Sequence, residues 1–107
     1  MASAVFHHFG VPSGEKKPNE TYLEGAKVFV TDPEAHPYRL EFLRFEEGTP
    51  MPPELCNGAH AAFLVESLDA ALAGQEVLIQ PFDATAELRC AFIKDGPALI
   101  ELMEKRK

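Results

Sequence analysis

His60 and Glu101 are the residues whose types and positions first indicate chemistry in this chain. His60 stands at the start of a dense apolar run, and Glu101 lies inside a second apolar run near the end of the sequence. Imidazole nitrogens and carboxylate oxygens are ligands that divalent transition metals accept in proteins. The two residues are therefore potential metal ligands that bracket the second half of the chain.

The segment from Gly58 to Met103 must position both residues, and it reads as a strand, a helix and three further strands. The run His60–Val65 is short and dense enough for a buried strand. Ser67 can cap a helix with apolar residues spaced three and four apart, and Gly74 can end it. Turn signals at 81–83 and 95–97 separate three later apolar runs, which predict strands at 76–80, 88–93 and 98–103.

The first half of the chain shows a weaker form of the same pattern. Apolar runs predict strands at 5–11, 22–23, 26–31 and 38–45, and a polar stretch at 14–20 predicts a loop instead of a helix. Alternation along the last of these strands places Arg39 and Glu41 on one face with Leu43 and Phe45. Three prolines within 46–57 predict a connector without regular structure.

The two halves repeat at two places. Residues 8–11, which begin with His8, correspond to residues 60–63, which begin with His60. Residues 40–43, which contain Glu41, correspond to residues 100–103, which contain Glu101. The histidine-to-glutamate interval of the first half is shorter by about one small helix, in agreement with the loop predicted at 14–20.

Two modules that each open with a strand histidine and close with a strand glutamate resemble the vicinal oxygen chelate superfamily, which includes glyoxalases, bleomycin-resistance proteins and extradiol dioxygenases. The resemblance is most specific in HAAFLVESLDAAL and RCAFIKDGPALIELM, and in the first half it rests on HFGV and LEFL. It implies an α+β fold in which two βαβββ modules, the first lacking most of its helix, form a curved, cup-shaped mixed sheet. Module one would span 4–46, the proline-rich connector 47–57 and module two 58–104, within one glyoxalase-like domain covering 1–107.

The resemblance also implies the ligands of one divalent metal ion, Zn, Ni, Co, Mn or Fe(II): His8, Glu41, His60 and Glu101. The function it implies is that of a metal-dependent lyase or isomerase, which acts on a small molecule with adjacent oxygens through an enediolate-type intermediate. Glu41 or Glu101 would be the catalytic base, and the residues do not decide between them. His7 fits the motif less well than His8, because His8 directly precedes Phe9-Gly10-Val11.

Two other functions remain open. An Fe(II) ring-cleaving dioxygenase would use His8, His60 and Glu101, although a fourth ligand at Glu41 would occupy a coordination site that this reaction needs. A metal-free, drug-sequestering protein would bind its ligand by shape, and the complete set of four ligand-type residues disfavours it. If no metal is bound, Arg39 or Arg89 is the expected partner of the carboxylates.

Composition and charge set the remaining expectations. A chain of 107 residues forms a single domain, and its net charge of −7 argues against nucleic acid or an anionic membrane surface as a partner. No apolar run reaches the about 20 residues of a spanning helix and no signal peptide is evident, so a cytoplasmic location is predicted. Cys56 and Cys90 are expected to be reduced packing residues. Exposed sheet edges favour a homodimer.

Overall fold

The computed structural model describes residues 3–106, which contain eight β-strands and two short α-helices. The predicted α+β class and mixed sheet are confirmed. Contacts divide the chain into two compact units, residues 8–60 and residues 61–106 with 3–7. The predicted single domain and its division into two modules with a connector stay predictions. Among the described residues, no helix has the length and apolar character needed to cross a membrane.

The unit formed by residues 8–60 holds the strands of the first half and one helix. Its elements are β1 (Ala4–Pro12, whose first residues belong to the other unit), β2 (Thr21–Leu23), β3 (Val28–Val30), β4 (Leu40–Phe45) and α1 (Pro53–Asn57). β1 is parallel to β4, whereas β3 is antiparallel to both β4 and β2. Short 3₁₀ helices cover Glu24–Ala26 and Pro33–Ala35. Val28, Leu43 and Leu55 are the buried apolar residues of this unit.

The loop predicted at 14–20 is present, and two cations of the unit fix its position. Lys17 Nζ lies 4.6 Å from the ring centroid of Phe42, and Glu20 accepts hydrogen bonds of 3.0 and 2.7 Å from the guanidinium of Arg44. Phe42 and Arg44 alternate with Glu41 along β4, so the loop packs on the face of this strand opposite to Glu41.

Two predictions for the first half are wrong in detail. The proline-rich segment is not without regular structure, because Pro53 begins α1, a position at which a backbone N–H has no partner within the helix. Arg39 is not part of β4: its φ of 59° lies in the left-handed region, and the strand begins only at Leu40. The predicted face of β4 therefore starts at Glu41.

The second unit has the predicted order of one strand, one helix and three strands. Its elements are β5 (His60–Val65, whose first residue belongs to the other unit), α2 (Leu68–Leu72), β6 (Glu76–Asp83), β7 (Leu88–Asp95) and β8 (Ala98–Lys105). β5 is parallel to β8, and β7 is antiparallel to both β8 and β6. Helix α2 packs on one face of these strands. Leu68 of the helix and four strand residues form the buried cluster between them: Val65, Ala91, Ile93 and Leu102.

Helix α2 begins where the sequence predicts. The Ser67 hydroxyl accepts a hydrogen bond of 3.2 Å from the Ala70 N–H, and Glu104 Oε1 accepts one of 2.6 Å from the Leu68 N–H. Gly74 follows the helix with a φ of 75°. The turn predicted at 81–83 is wrong, because β6 continues through Pro81 to Asp83. The β6–β7 register shifts between Ile79 and Phe82, and such an irregularity accommodates a residue without an N–H.

Candidate metal centre

Strands β1 and β4 position the first two candidate ligands. Their parallel pairing sets Gly10 opposite Glu41, and alternation along β1 places His8 on the same face as Gly10. His8 Nε2 lies 3.3 Å from Glu41 Oε1. The histidine is only 3% exposed, whereas the side chain of Glu41 is 17% exposed. A buried imidazole and a partly accessible carboxylate thus meet on one face of the sheet.

His60 joins this pair because Gly10 has no side chain. A β-carbon on Gly10 would overlap the imidazole of His60, so the ring occupies the space that the glycine leaves open. The rings of His60 and His8 are 5.9 Å apart between centroids and inclined at 74°. His60 is 3% exposed. Gly10 was missed as a site residue, although a glycine in mid-strand two residues after a histidine is a usable signal of close approach.

Glu101 is the fourth candidate ligand and lies in β8, in register with the fully buried Ala62 of β5. Within the unit formed by residues 8–60, one nitrogen or oxygen atom from each of His8, Glu41 and His60 lies within 4.8 Å of the others. Ligand atoms on opposite sides of one ion, each about 2.1 Å from it, are separated by about 4 Å. These three residues can therefore hold one divalent metal ion after small side-chain adjustments, and Glu101 of the other unit stays the predicted fourth ligand.

The donor set fits a borderline divalent transition metal. Two imidazoles supply nitrogen ligands and two carboxylates supply hard oxygen ligands, a combination that suits Zn, Ni, Co, Mn or Fe(II). A carboxylate removed from water without a compensating cation costs several kcal/mol. A cation bound by these side chains would offset that cost.

The other residues considered as ligands lie elsewhere. His7 points to the opposite face of β1 from His8, as alternation predicts. Cys56 belongs to α1, and its Sγ lies 3.7 Å from the carbonyl oxygen of Met51. His36 follows the second 3₁₀ helix, and its ring packs against Tyr38 and Phe42.

A groove of about 600 Å³ lies within the unit formed by residues 8–60. We call it the β1–β4 groove; its lining comprises Pro12, Ser13, Gly14, Leu43, Phe45, Glu46, Glu47, Gly48, Thr49, Cys56 and Asn57. Pro12 follows His8 and Gly10 on the same face of β1, and Leu43 and Phe45 follow Glu41 on the same face of β4. The groove therefore continues the face that carries the candidate ligands.

Comparison with known proteins does not assign the chain: it matches no protein-family model and no curated protein sequence. The resemblance to the vicinal oxygen chelate superfamily consequently stays a hypothesis. It rests on the two histidine and two glutamate motifs and on the order of strands and helices.

Proposed function

We propose that this protein is a glyoxalase-like metalloenzyme, a divalent-metal-dependent lyase or isomerase. Its substrate is a small molecule with two adjacent oxygens, converted through an enediolate-type intermediate. The observation that carries the proposal is the approach of three ligand atoms to within 4.8 Å of one another, on His8, Glu41 and His60. Glu101 completes the proposed ligand set because its motif repeats that of Glu41.

Each side chain has a defined task in this proposal. A divalent ion bound here would supply Lewis acidity toward a carbonyl or diol oxygen. The carboxylate of Glu41 or Glu101 would take a proton from one carbon of the substrate and return it to the next. His8 Nε2 and Glu41 Oε1 lie 3.3 Å apart, a separation that two neighbouring ligand atoms of one ion can have. His8 and His60, each 3% exposed, would supply the two nitrogen ligands.

The number of ligands distinguishes this function from the dioxygenase. An Fe(II) ring-cleaving enzyme binds both substrate and dioxygen, which requires open coordination positions beside two histidines and one carboxylate. Here the repeated motif supplies a second carboxylate, so Glu41 and Glu101 are both proposed ligands. A chemistry that needs two substrate oxygens bound, but no dioxygen, fits four protein ligands better.

Elemental analysis of the untagged protein, purified without added metal, tests the proposal. We expect about one divalent transition metal per chain, and its loss in the double variant Glu41→Ala, Glu101→Ala. The matched control is the double variant Glu66→Ala, Glu87→Ala, which removes two exposed carboxylates outside the candidate site and should keep the metal. The proposal fails if no metal is found and none of Ni, Zn, Co, Mn or Fe(II) binds with micromolar affinity.

A further inference from the structure

We propose that the β1–β4 groove binds the substituent of the substrate whose two oxygens the metal centre holds, and that this substituent is apolar with a cationic or hydrogen-bond-donating end. The inference rests on the proposed function and adds the chemical class of the substrate. The groove measures about 600 Å³, within the range of pockets that bind small organic molecules.

Continuity along β4 is the first argument. Glu41, Leu43 and Phe45 alternate onto one face of this strand, so the candidate ligand and two groove residues share that face. Successive residues of a strand advance by about 3.3 Å, which places Leu43 about 6.6 Å beyond Glu41. Pro12 repeats this step on β1, because it pairs with Leu43. A substituent roughly the length of a benzene ring therefore reaches the groove from the metal centre.

The apolar lining is the second argument. Pro12, Leu43 and Phe45 contribute carbon surface from the two strands, and Leu43 is 7% exposed. The side chains of Ser13 and Thr49 are already engaged: the Ser13 hydroxyl accepts from the Glu15 N–H, and the Thr49 hydroxyl donates to the Ala26 carbonyl. An apolar group can fill the space beside these residues without removing a hydrogen bond from them.

The charge of the rim is the third argument. Glu46 and Glu47 belong to the groove lining, which includes no basic residue. Glu46 Oε1 accepts a 2.6 Å hydrogen bond from the Tyr22 hydroxyl, whereas Glu47 is exposed. Two cations lie near the rim: Lys27 Nζ is beside Gly48, and the guanidinium of Arg44 interacts with Glu46. Because Arg44 is also paired with Glu20, three carboxylates face two cations and the rim keeps a net negative charge. An anionic substituent is disfavoured here, and an ammonium or amide N–H is favoured.

Bidentate hydroxamates of different tails test the assignment on the zinc-loaded protein. Acetohydroxamate reports on the metal centre alone, because it has two adjacent oxygens and almost no tail. Benzohydroxamates with a para aminomethyl, methyl or carboxylate group extend toward the groove. We expect isothermal titration calorimetry to show binding in that order, with the aminomethyl compound bound about fivefold more tightly than the carboxylate.

Three results separate the two proposals. If acetohydroxamate does not bind the zinc-loaded protein, or binds the metal-free protein equally well, the metal centre fails and the groove assignment with it. If acetohydroxamate requires zinc but the three benzohydroxamates bind equally, the metal centre stands and the groove assignment is overturned. Tighter binding of the carboxylate compound overturns it as well.

Variants that each remove one carboxylate then test where the charged end of the benzohydroxamate binds. Glu47→Gln should reduce the aminomethyl-over-carboxylate preference to about twofold, because it removes one of two rim charges. Glu87→Gln, which neutralises an exposed carboxylate outside the groove lining, should leave the preference unchanged. A preference that persists unchanged in Glu47→Gln and in the double variant Glu46→Gln, Glu47→Gln would show that the tail lies elsewhere.

Discussion

The imidazole of His60 occupies the space above Gly10 that a side chain at that position would fill. Gly10 pairs with Glu41 across β1 and β4, so the ring lies beside the carboxylate and opposite the ring of His8. The site thus depends on a residue that offers no ligand atom. Gly10 contributes the open space that the imidazole of His60 occupies.

Substitution of Gly10 by alanine is expected to displace His60 and weaken metal binding. The new methyl group would overlap the imidazole, which must then move or tilt away from the ligand group. Changes next to the ligands of metal sites lower affinity by about 10- to 100-fold, and a loss of this size is expected here. Zinc affinity can be measured by competition with a chromogenic chelator.

Gly25→Ala is the matched control for this variant. A β-carbon at Gly25 meets nothing within 4 Å, and Gly25 is not among the positive-φ residues. Its zinc affinity should equal that of the wild type. Equal zinc affinities of the Gly10→Ala and Gly25→Ala proteins would show that His60 does not need the space above Gly10 to bind the metal.

Neutralising Glu101 is expected to separate metal binding from folding. Glu101→Gln keeps the shape of the side chain but removes the charge that a metal ion would balance, so the variant should lose metal binding while the metal-free protein still unfolds cooperatively. Metal at about 100 times its Kd stabilises a folded protein by about 2.7 kcal/mol, or about 10 °C or more for a domain of this size. Calorimetry should show this rise in the wild type and little of it in the variant.

The corresponding control is Glu66→Gln, at an exposed position ahead of α2. This variant should keep the full metal-dependent rise in melting temperature. A full rise in Glu101→Gln would remove Glu101 from the ligand set. A large fall in the melting temperature of metal-free Glu101→Gln would instead indicate that the carboxylate has a structural role.

Local signals made much of the fold predictable. Ser67 and Gly74 mark the two ends of α2, and His60–Val65 is the strand that its apolar run predicts. The two predictions that depend on proline are wrong. The prolines of 46–57 predict no regular structure, but Pro53 occupies the first position of α1. Pro81 predicts the end of β6, but an irregular register accommodates it within the strand. Position within an element decides the effect of proline, and sequence alone does not supply that position.

The four candidate ligands could be named from the sequence because each stands in a short motif that recurs in the other half. The approach of His8, Glu41 and His60 to within 4.8 Å of one another could not be measured from it. The β1–β4 groove was not foreseen either, since its lining comes from strand ends, a turn and α1. Such surfaces depend on tertiary packing, which produces no periodic pattern in the sequence.

The ion pair of Glu20 and Arg44 is expected to make folding stability depend on pH in the acid range. The Arg44 guanidinium holds the pKa of Glu20 below its ordinary value of 4.5 and also stacks 4.2 Å from the ring centroid of Phe29. The unfolded chain therefore binds the proton more readily than the folded one. The stability from this pair is complete above about pH 4.5 and decreases as pH falls through the lowered pKa.

Melting temperatures of wild type and Glu20→Gln between pH 3 and pH 8 measure this dependence. The advantage of the wild type should be constant from about pH 5 upward and shrink below about pH 4.5. Glu15→Gln is the control, because Glu15 is a mostly exposed side chain in the same loop and its ion pair is with Lys17 instead of Arg44. A difference between wild type and Glu20→Gln that does not change with pH would contradict the assigned cause.

The two cysteines are expected to differ sharply in reactivity. Cys90 is 1% exposed in β7, whereas Cys56 is half-buried in the lining of the β1–β4 groove. Burial raises the pKa of the Cys56 thiol above its ordinary value of 9.0, so little thiolate is present near neutral pH. Iodoacetamide at pH 8 should therefore modify Cys56 more slowly than it modifies a free thiol, and Cys90 only after unfolding.

Intact-mass spectrometry and peptide mapping over a time course will check this order. The native protein should gain one adduct, located at Cys56, at a rate that increases with pH to beyond pH 9. Cys56→Ser should gain none until denaturant is added, because its remaining thiol is enclosed between the strands of the core. Rapid modification of Cys90 in the native protein would show that β7 opens without global unfolding, since a thiol buried to this extent reacts only when its surroundings open.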